Sequence, residues 1–304
     1  MVDQGLMALT GTSTVANAWR ALLPNYRPGQ GIAIKVNLNN AFQCDDADGQ
    51  IDALIHPVNG IVRGLKQIGV METDIWLYDA KRAIPQRLVA ASQYSNIRYY
   101  GRLPCGHDEA RFDSNDAHAY VAFSPPSGIP LPPRVKITDV LIQATYLINM
   151  PIMKTHGGMG ITLSFKNHLG TVDQPAAFHD YAGLNGPYYG SDYSPLVDLY
   201  RNSHIAGKTV LIIGDGLFAA RDNNTAPPSP WQTCGSQVPN SLFFAADPVA
   251  IDCVMYDFLA AEADVPATAD DYLRLASDAG LGVFERGDPW GSGYTRIDYV
   301  RMEL

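Results

Sequence analysis

The stretch Tyr146-Leu-Ile-Asn-Met-Pro-Ile-Met-Lys-Thr-His-Gly-Gly-Met-Gly-Ile-Thr-Leu-Ser-Phe-Lys-Asn-His-Leu-Gly170 decides how this chain is read. Residues 146–150 form a short apolar run of strand character, and Pro151, which has no amide hydrogen, marks its end. With the backbone still extended through Lys154, Thr155 and His156, a period of two puts Lys154 and His156 on one face, a cation beside an imidazole. Gly157, Gly158 and Gly160 then supply a turn whose amides can approach a ligand closely. Ile161, Phe165 and Leu169 recur every four residues, which predicts a helix over 161–169, with Thr162 and Lys166 on a neighbouring face and Gly170 as its stop. Strand, glycine turn and helix N-terminus describe an anion cradle, because orphan amides and the helix dipole both favour negative charge. The sequence has seven lysines, and two of them flank this one turn rather than being scattered over solvated faces.

Upstream, residues 15–23 read as a helix and 32–38 as a β-rich run interrupted by Lys35. An ammonium inside an apolar strand needs a partner or a purpose, so Lys35, with Asn37 and Asn39, is a second component of the site. The acidic turn at 45–49 fails as a calcium loop: with Gly49 as the loop glycine, Cys44 takes the first ligand position and Ile55 the last. A helix over 51–68 follows, with Pro57 near its first turns. Residues 74–78 read as a strand delivering Asp79 to its C-terminal end, where ligand contacts collect in α/β sheets; Arg82 is close enough in sequence to be its ion-pair partner instead. A helix at 84–92 and a strand at 97–100 come next. The Pro-, Gly-, Ser- and Asp-rich residues 101–133, with a strand at 119–123, read as an excursion or lid.

Downstream, residues 173–194 hold His179, Asp180 and several tyrosines without periodicity, and read as a mobile loop able to close over a ligand. A helix over 195–205 carries His204 to the surface. The apolar run 209–213 predicts a central strand ending at Gly214-Asp215-Gly216, which makes Asp215 another strand-end carboxylate. After a loop over 221–240 and a strand at 241–246, Asp247 as N-cap and Pro248 at the first helical position open a helix that contains Asp252. A helix over 271–279 and a strand at 297–301 complete the chain. Alternation of five or more strands with helices predicts an α/β fold in one domain over 1–304, a three-layer, mostly parallel sheet with helices on both faces and long loop excursions.

At 304 residues, 46% hydrophobic and 17% charged, the chain is long enough for a large core. Its net charge of −9 disfavours a non-specific hold on nucleic acid or anionic membrane, so any basic site must be local. No apolar stretch reaches the length of a membrane span, and no basic segment followed by an apolar one opens the sequence. The chain reads as cytoplasmic, or as exported with its leader absent. Cys44, Cys105, Cys234 and Cys253 are widely separated and give no local iron–sulfur motif. Cys253 lies in an apolar helical run and reads as core; for the other three, free thiols are the expectation and spacing assigns no pair.

The pieces Ile148-Asn-Met-Pro, Lys154-Thr-His156, Thr162-Leu-Ser-Phe-Lys166-Asn167 and Leu169-Gly170 resemble the signature of domain of unknown function 362, a widespread prokaryotic family. Lys35-Val-Asn37, Ile213-Gly-Asp215-Gly216 and Asp247-Pro-Val-Ala-Ile-Asp252 fit the same pattern, which then runs from about Ile32 to Leu259. Many members carry a ferredoxin-like segment with four closely spaced cysteines, and this chain departs from them there. The resemblance implies a possible external redox partner and no cofactor of stated identity.

Together these readings favour an enzyme acting on a small carboxylate or phosphate compound. Lys35, Lys154 and Lys166 would neutralise the anion, His156 would act as general acid/base, and Asn37, Asn39, Thr155, Gly157, Gly158, Thr162 and Asn167 would orient the substrate. Asp79 or Asp215 would restore charge balance and His179 would close the site. Two alternatives stand beside this. One is a metal or redox protein drawing N/O ligands from His156, Asp79, Asp215 and His179, although no pair has diagnostic metal spacing. The other is a non-catalytic binder of anionic metabolites.

Overall fold

The computed structural model describes every residue except Asp48, Asn223 and Asn224. The third aspartate of the acidic turn at 45–49, and two asparagines of the 221–240 loop, therefore lie outside the described residues.

The apolar runs become β1 (Ile32–Val36), β2 (Ile75–Asp79) and β5 (Tyr146–Met150), which pair in parallel with β1 in the middle. Strands covered on both faces are expected to be continuous in hydrophobicity, and β1 is buried throughout. Outside β2 lie β3 (Arg98–Gly101) and the short β4 (Asp108–Glu109). Beyond Pro151 the chain continues as β6 (Ile152–His156) and folds back as β7 (Gly160–Thr162). The strands β5 and β6 run in succession along one edge of β8 (Thr209–Ala220), with Asn149 beside Ile212 and Ile152 beside Asp215. On the opposite edge of β8, β9 (Ser241–Ala245) runs antiparallel, Ile212 beside Ala245. Among the described residues this makes one open, mostly parallel mixed sheet in the order β4-β3-β2-β1-β5-β8-β6-β7, with β9 paired to β8.

One face of the sheet carries α1 (Val2–Thr10), α2 (Val15–Leu22), α3 (Ile55–Lys66) and α4 (Gln86–Ala90), whose Leu6, Trp19, Ile61, Leu65 and Leu88 share a core with Ile34, Val36, Ile148 and Ile213. The other face carries α5 (Asp139–Gln143), α6 (Ser164–Asn167), α7 (His179–Ala182), α8 (Pro195–Tyr200), α9 (Pro248–Ala260) and α10 (Asp271–Asp278). Their Leu141, Phe165, Leu199, Met255 and Leu273 pack with Leu147, Met153 and Ile212. The expected three-layer α/β arrangement is thus present. Asp247 caps α9 as its sequence signal requires, accepting from the Val249 and Ala250 amides at 2.8 and 2.9 Å.

Several expectations are corrected. The predicted helix over 161–169 is instead a hairpin strand, the four-residue α6 and a 3-10 turn at His168–Thr171. Ile161 and Phe165 are both core residues, but they reach the core from two different elements, so their four-residue spacing is not helical. The strand at 209–213 does not stop at its glycines. Pairing with β9 carries it through Asp215, and Gly214 is needed because a Cβ there would meet Met255 Sδ of α9 at 2.4 Å. The helix over 51–68 begins only at Ile55, because residue 53 is tied back to β1, its amide donating to the Asn37 carbonyl at 2.8 Å.

Residues 119–123 and 297–301 form no strand; Tyr120 makes a single bridge to Lys136. His204 lies beyond the end of α8 and is buried against Asp116, 2.9 Å away, rather than on an exposed helical face. The 173–194 segment contains a 3-10 turn at Pro175–Phe178 and α7, with Phe178 and Tyr181 buried. Cys44 and Cys105 are joined in a disulfide, so the expectation of free thiols holds for Cys234 but not for these two, and Cys253 is buried in the core as expected. Among the described residues no helix is long and apolar enough to cross a membrane.

Candidate anion site

The parallel strands β1, β2 and β5 deliver polar side chains to their C-terminal ends, where the next elements must supply partners. Lys35 is fully buried, and its ammonium donates to the Val36 carbonyl, to Asp79 Oδ2 at 3.1 Å and to Asn167 Oδ1 at 3.2 Å. Three oxygens, one of them on a carboxylate, satisfy all three of its hydrogens. Burial lowers the Lys35 pKa and the Asp79 charge opposes that shift. Asp79 also accepts from the Leu38 and Lys81 amides at 3.3 and 3.0 Å. The ion pair considered between Asp79 and Arg82 does not form. The Arg82 guanidinium donates instead to the carbonyls of Asn39 and Lys81 at 2.6 and 3.1 Å.

Asn167 continues the network, donating to Asn149 Oδ1 at 2.7 Å, and Asn149 donates in turn to the Ser164 carbonyl at 3.0 Å. The N-terminus of α6 is not open to a ligand. Its Ser164 and Phe165 amides are taken by the Asp252 carboxylate of α9 at 2.8 and 3.4 Å. The cradle expected at a helix N-terminus is thus filled by the chain's own carboxylate.

What remains for a ligand lies on β6, β7 and α6. Lys154 is buried and donates to Asn37 Oδ1 at 3.1 Å. Desolvation lowers its pKa, and the nearby Asp52 carboxylate pulls the other way. Asp52 is the main residue missed in the sequence. It reaches this place from the irregular segment 51–54 ahead of α3, with the Asn40 amide donating to Oδ1 at 3.0 Å and Arg87 standing 3.6 Å from Oδ2. Burial raises the Asp52 pKa, and the Asn40 amide and the Lys154 charge oppose the rise.

Lys166, also buried, is bonded to Thr162 Oγ1 at 3.3 Å, and no carboxylate lies within 4 Å of its Nζ among the described residues. Desolvation first and the Lys154 charge second hold its pKa well below the ordinary lysine value. His156 sits on the same strand face as Lys154, as alternation requires. Its Nδ1 accepts from the Gly158 and Met159 amides at 3.1 and 3.2 Å, which puts the ring hydrogen on Nε2. Burial, then the charges of Lys166 and Lys154, push its pKa down to about 3. His179 is exposed at the rim, near enough for its charge to bear on His156, and the Leu184 amide beyond it donates to the Gly158 carbonyl at 2.9 Å.

Other expected site residues fall elsewhere. Thr155 points to the opposite face and donates to the Arg221 carbonyl at 3.1 Å. Asp215 is buried within β8, its carboxylate accepting from the Leu217 amide at 3.0 Å, and burial raises its pKa to about 6 with no lysine among the causes. It lies outside the lysine cluster. Asn39 is half-buried and donates to Asn40 Oδ1 at 3.1 Å, behind Asn37. Gly157 and Gly158 form the exposed tip of the β6–β7 hairpin, and Gly160 closes it at φ 73°, where a Cβ would also lie 2.3 Å from that of Ala269. Among the described residues, no three His, Cys, Asp or Glu side chains converge as a metal site, and Asp79, one of the ligands considered, is committed to Lys35.

A crystal structure of a Thermotoga maritima protein, solved by a structural genomics consortium, is similar at 12% identity and a TM-score of 0.43. The match covers 87% of this chain and 58% of that one, so this chain spans less than two thirds of that protein's length. No curated protein matches the sequence. The family described as Domain of unknown function (DUF362) matches residues 32–257, most of the chain and nearly the span its motifs mark out, and the chain belongs to that family.

Proposed function

We propose that the protein is an enzyme acting on a small carboxylate or phosphate compound, held by Lys154, Lys166 and the His156 Nε2–H. The observation that carries this reading is the Lys166 amine, buried beside a second lysine and, among the described residues, with one hydroxyl as its hydrogen-bond partner. Protonating an amine so poorly compensated is costly, and a bound anion would offset that cost. Asn37 would fix Lys154, and Thr162 would fix Lys166. Lys35, Asp79, Asn149 and Asn167 would hold the strand ends in place beneath the site rather than touch the substrate.

The tautomer of His156 changes the role expected of it. With Nδ1 occupied by two amides, the ring offers a hydrogen rather than a lone pair, so it would act as a neutral donor to a substrate oxygen. The acid/base function then passes to Lys166, whose amine, left unprotonated by its lowered pKa, would accept a proton from the substrate and pair with the anion once protonated. The test is a panel of carboxylates and phosphates assayed for binding and turnover. His156→Ala and Lys166→Met should each abolish turnover in a folded protein, and a fully active variant at either position would defeat the assignment.

A further inference from the structure

The three buried lysines differ in what surrounds their nitrogen. Lys35 meets three oxygens including the Asp79 carboxylate, and Lys154 meets the Asn37 amide oxygen within the field of Asp52. Lys166 meets one hydroxyl and the charge of Lys154. A desolvated lysine beside another cation is the arrangement that leaves an amine unprotonated and nucleophilic. Lys166 also forms part of the wall of a small cavity with Ile161, Leu184, Ala269, Tyr272 and Asp271, whose carboxylate is already engaged by the Tyr189 hydroxyl and Arg274. Ser194 lines the same cavity, and its hydroxyl is buried without a hydrogen-bond partner.

We infer that Lys166 is a covalent site for small 2-oxo acids, its amine condensing with the substrate carbonyl while Lys154 and the His156 Nε2–H hold the adjoining carboxylate. This rests on the anion reading above and narrows its substrate class. The amine nitrogen forms a bond to the carbonyl carbon, giving a carbinolamine. The carbonyl oxygen then leaves as water with the two amine hydrogens, the Thr162 hydroxyl relaying protons, and an imine remains. No electrons change hands and no further reactant is required. The cavity would take a short apolar substituent on the far side of the carbonyl.

The test uses pyruvate, with lactate as the analogue lacking the carbonyl, each incubated with the full-length protein and sodium borohydride. The expected result is a mass gain with pyruvate equal to pyruvic acid less one oxygen, mapped by peptide mass spectrometry to Lys166 ahead of the other six lysines. Lactate should bind without leaving an adduct. Lys166→Arg should lose the adduct, and site mapping on the unmodified sequence keeps the test decisive should that variant fail to fold. Calorimetric binding of pyruvate with no adduct, or with adducts spread over other lysines, overturns the imine and leaves the anion site standing. Absence of binding by pyruvate, lactate and inorganic phosphate alike overturns both.

Discussion

Lys35 Nζ and Asp79 Oδ2 stand 3.1 Å apart, both buried, at the C-terminal ends of adjacent parallel strands. Each thereby uses up the charge that the sequence offered to a ligand, and the lysines left to meet one lie one hairpin further on. Breaking one partner leaves a buried charge unpaired. Lys35→Met or Asp79→Leu alone should lower stability by about 3–5 kcal/mol in urea denaturation, whereas the double variant should recover most of that loss. Equal losses that simply add would contradict the pairing.

Asp215 gives a pH signature. Its pKa is raised by burial to about 6 from an ordinary 3.8, so the folded state holds a proton that the unfolded chain has released between those values. Its contribution is fully present below about pH 4 and is lost as pH rises through the folded pKa of about 6. Relative to Asp215→Asn, the protein should therefore lose about 2–3 kcal/mol across that window, read from denaturation midpoints at each pH. A constant difference between the two would show that the Asp215 pKa is not raised.

The Cys44–Cys105 disulfide closes a long loop, its two cysteines 61 positions apart in the sequence. On loop-closure grounds Cys44→Ser with Cys105→Ser should cost about 2–4 kcal/mol, checked by denaturation with and without reductant. A reductant that left the midpoint unchanged would show that the bridge contributes nothing.

Much of the scaffold was legible because its signals are local. The apolar runs of β1, β5 and the first half of β8 could be read directly, as could the Asp247-Pro248 start of α9. What failed depended on partners distant in sequence. Ile161, Phe165 and Leu169 imitate a helical stripe, and the pairing of Ile161 with Thr155 and of Thr162 with Lys154 shows that the first of them is in a strand. The glycines around Asp215 look like a strand end, yet Gly214 is required by the approach of Met255. The helix N-terminus offered to an anion is occupied by Asp252, 88 residues away from Ser164. Asp52 could not be found at all, since no periodic pattern marks an irregular segment that brings a carboxylate near Lys154. Strand alternation made the shared face of Lys154 and His156 legible, whereas Lys166 meets Thr162 from a separate element rather than along the helix that their spacing predicts.

Anion binding should draw in protons. Burial lowers the pKa of both Lys154 and Lys166, and a bound anion would raise them again. Affinity for inorganic phosphate or a simple carboxylate should therefore fall as pH rises through the lowered lysine pKa values. Calorimetry in buffers of different ionisation enthalpy should show proton uptake on binding. Proton release would contradict the electrostatic account.

The most direct measurement is equilibrium binding of pyruvate, lactate and inorganic phosphate to the protein and to its Lys166→Met variant, with folding of both checked by circular dichroism. The predicted result is saturable binding of at least one anion that weakens by about tenfold or more in the variant, the loss of roughly one charge-assisted hydrogen bond. Identical binding by the two proteins, or none by either, would contradict the claim that Lys166 and its neighbours form an anion site.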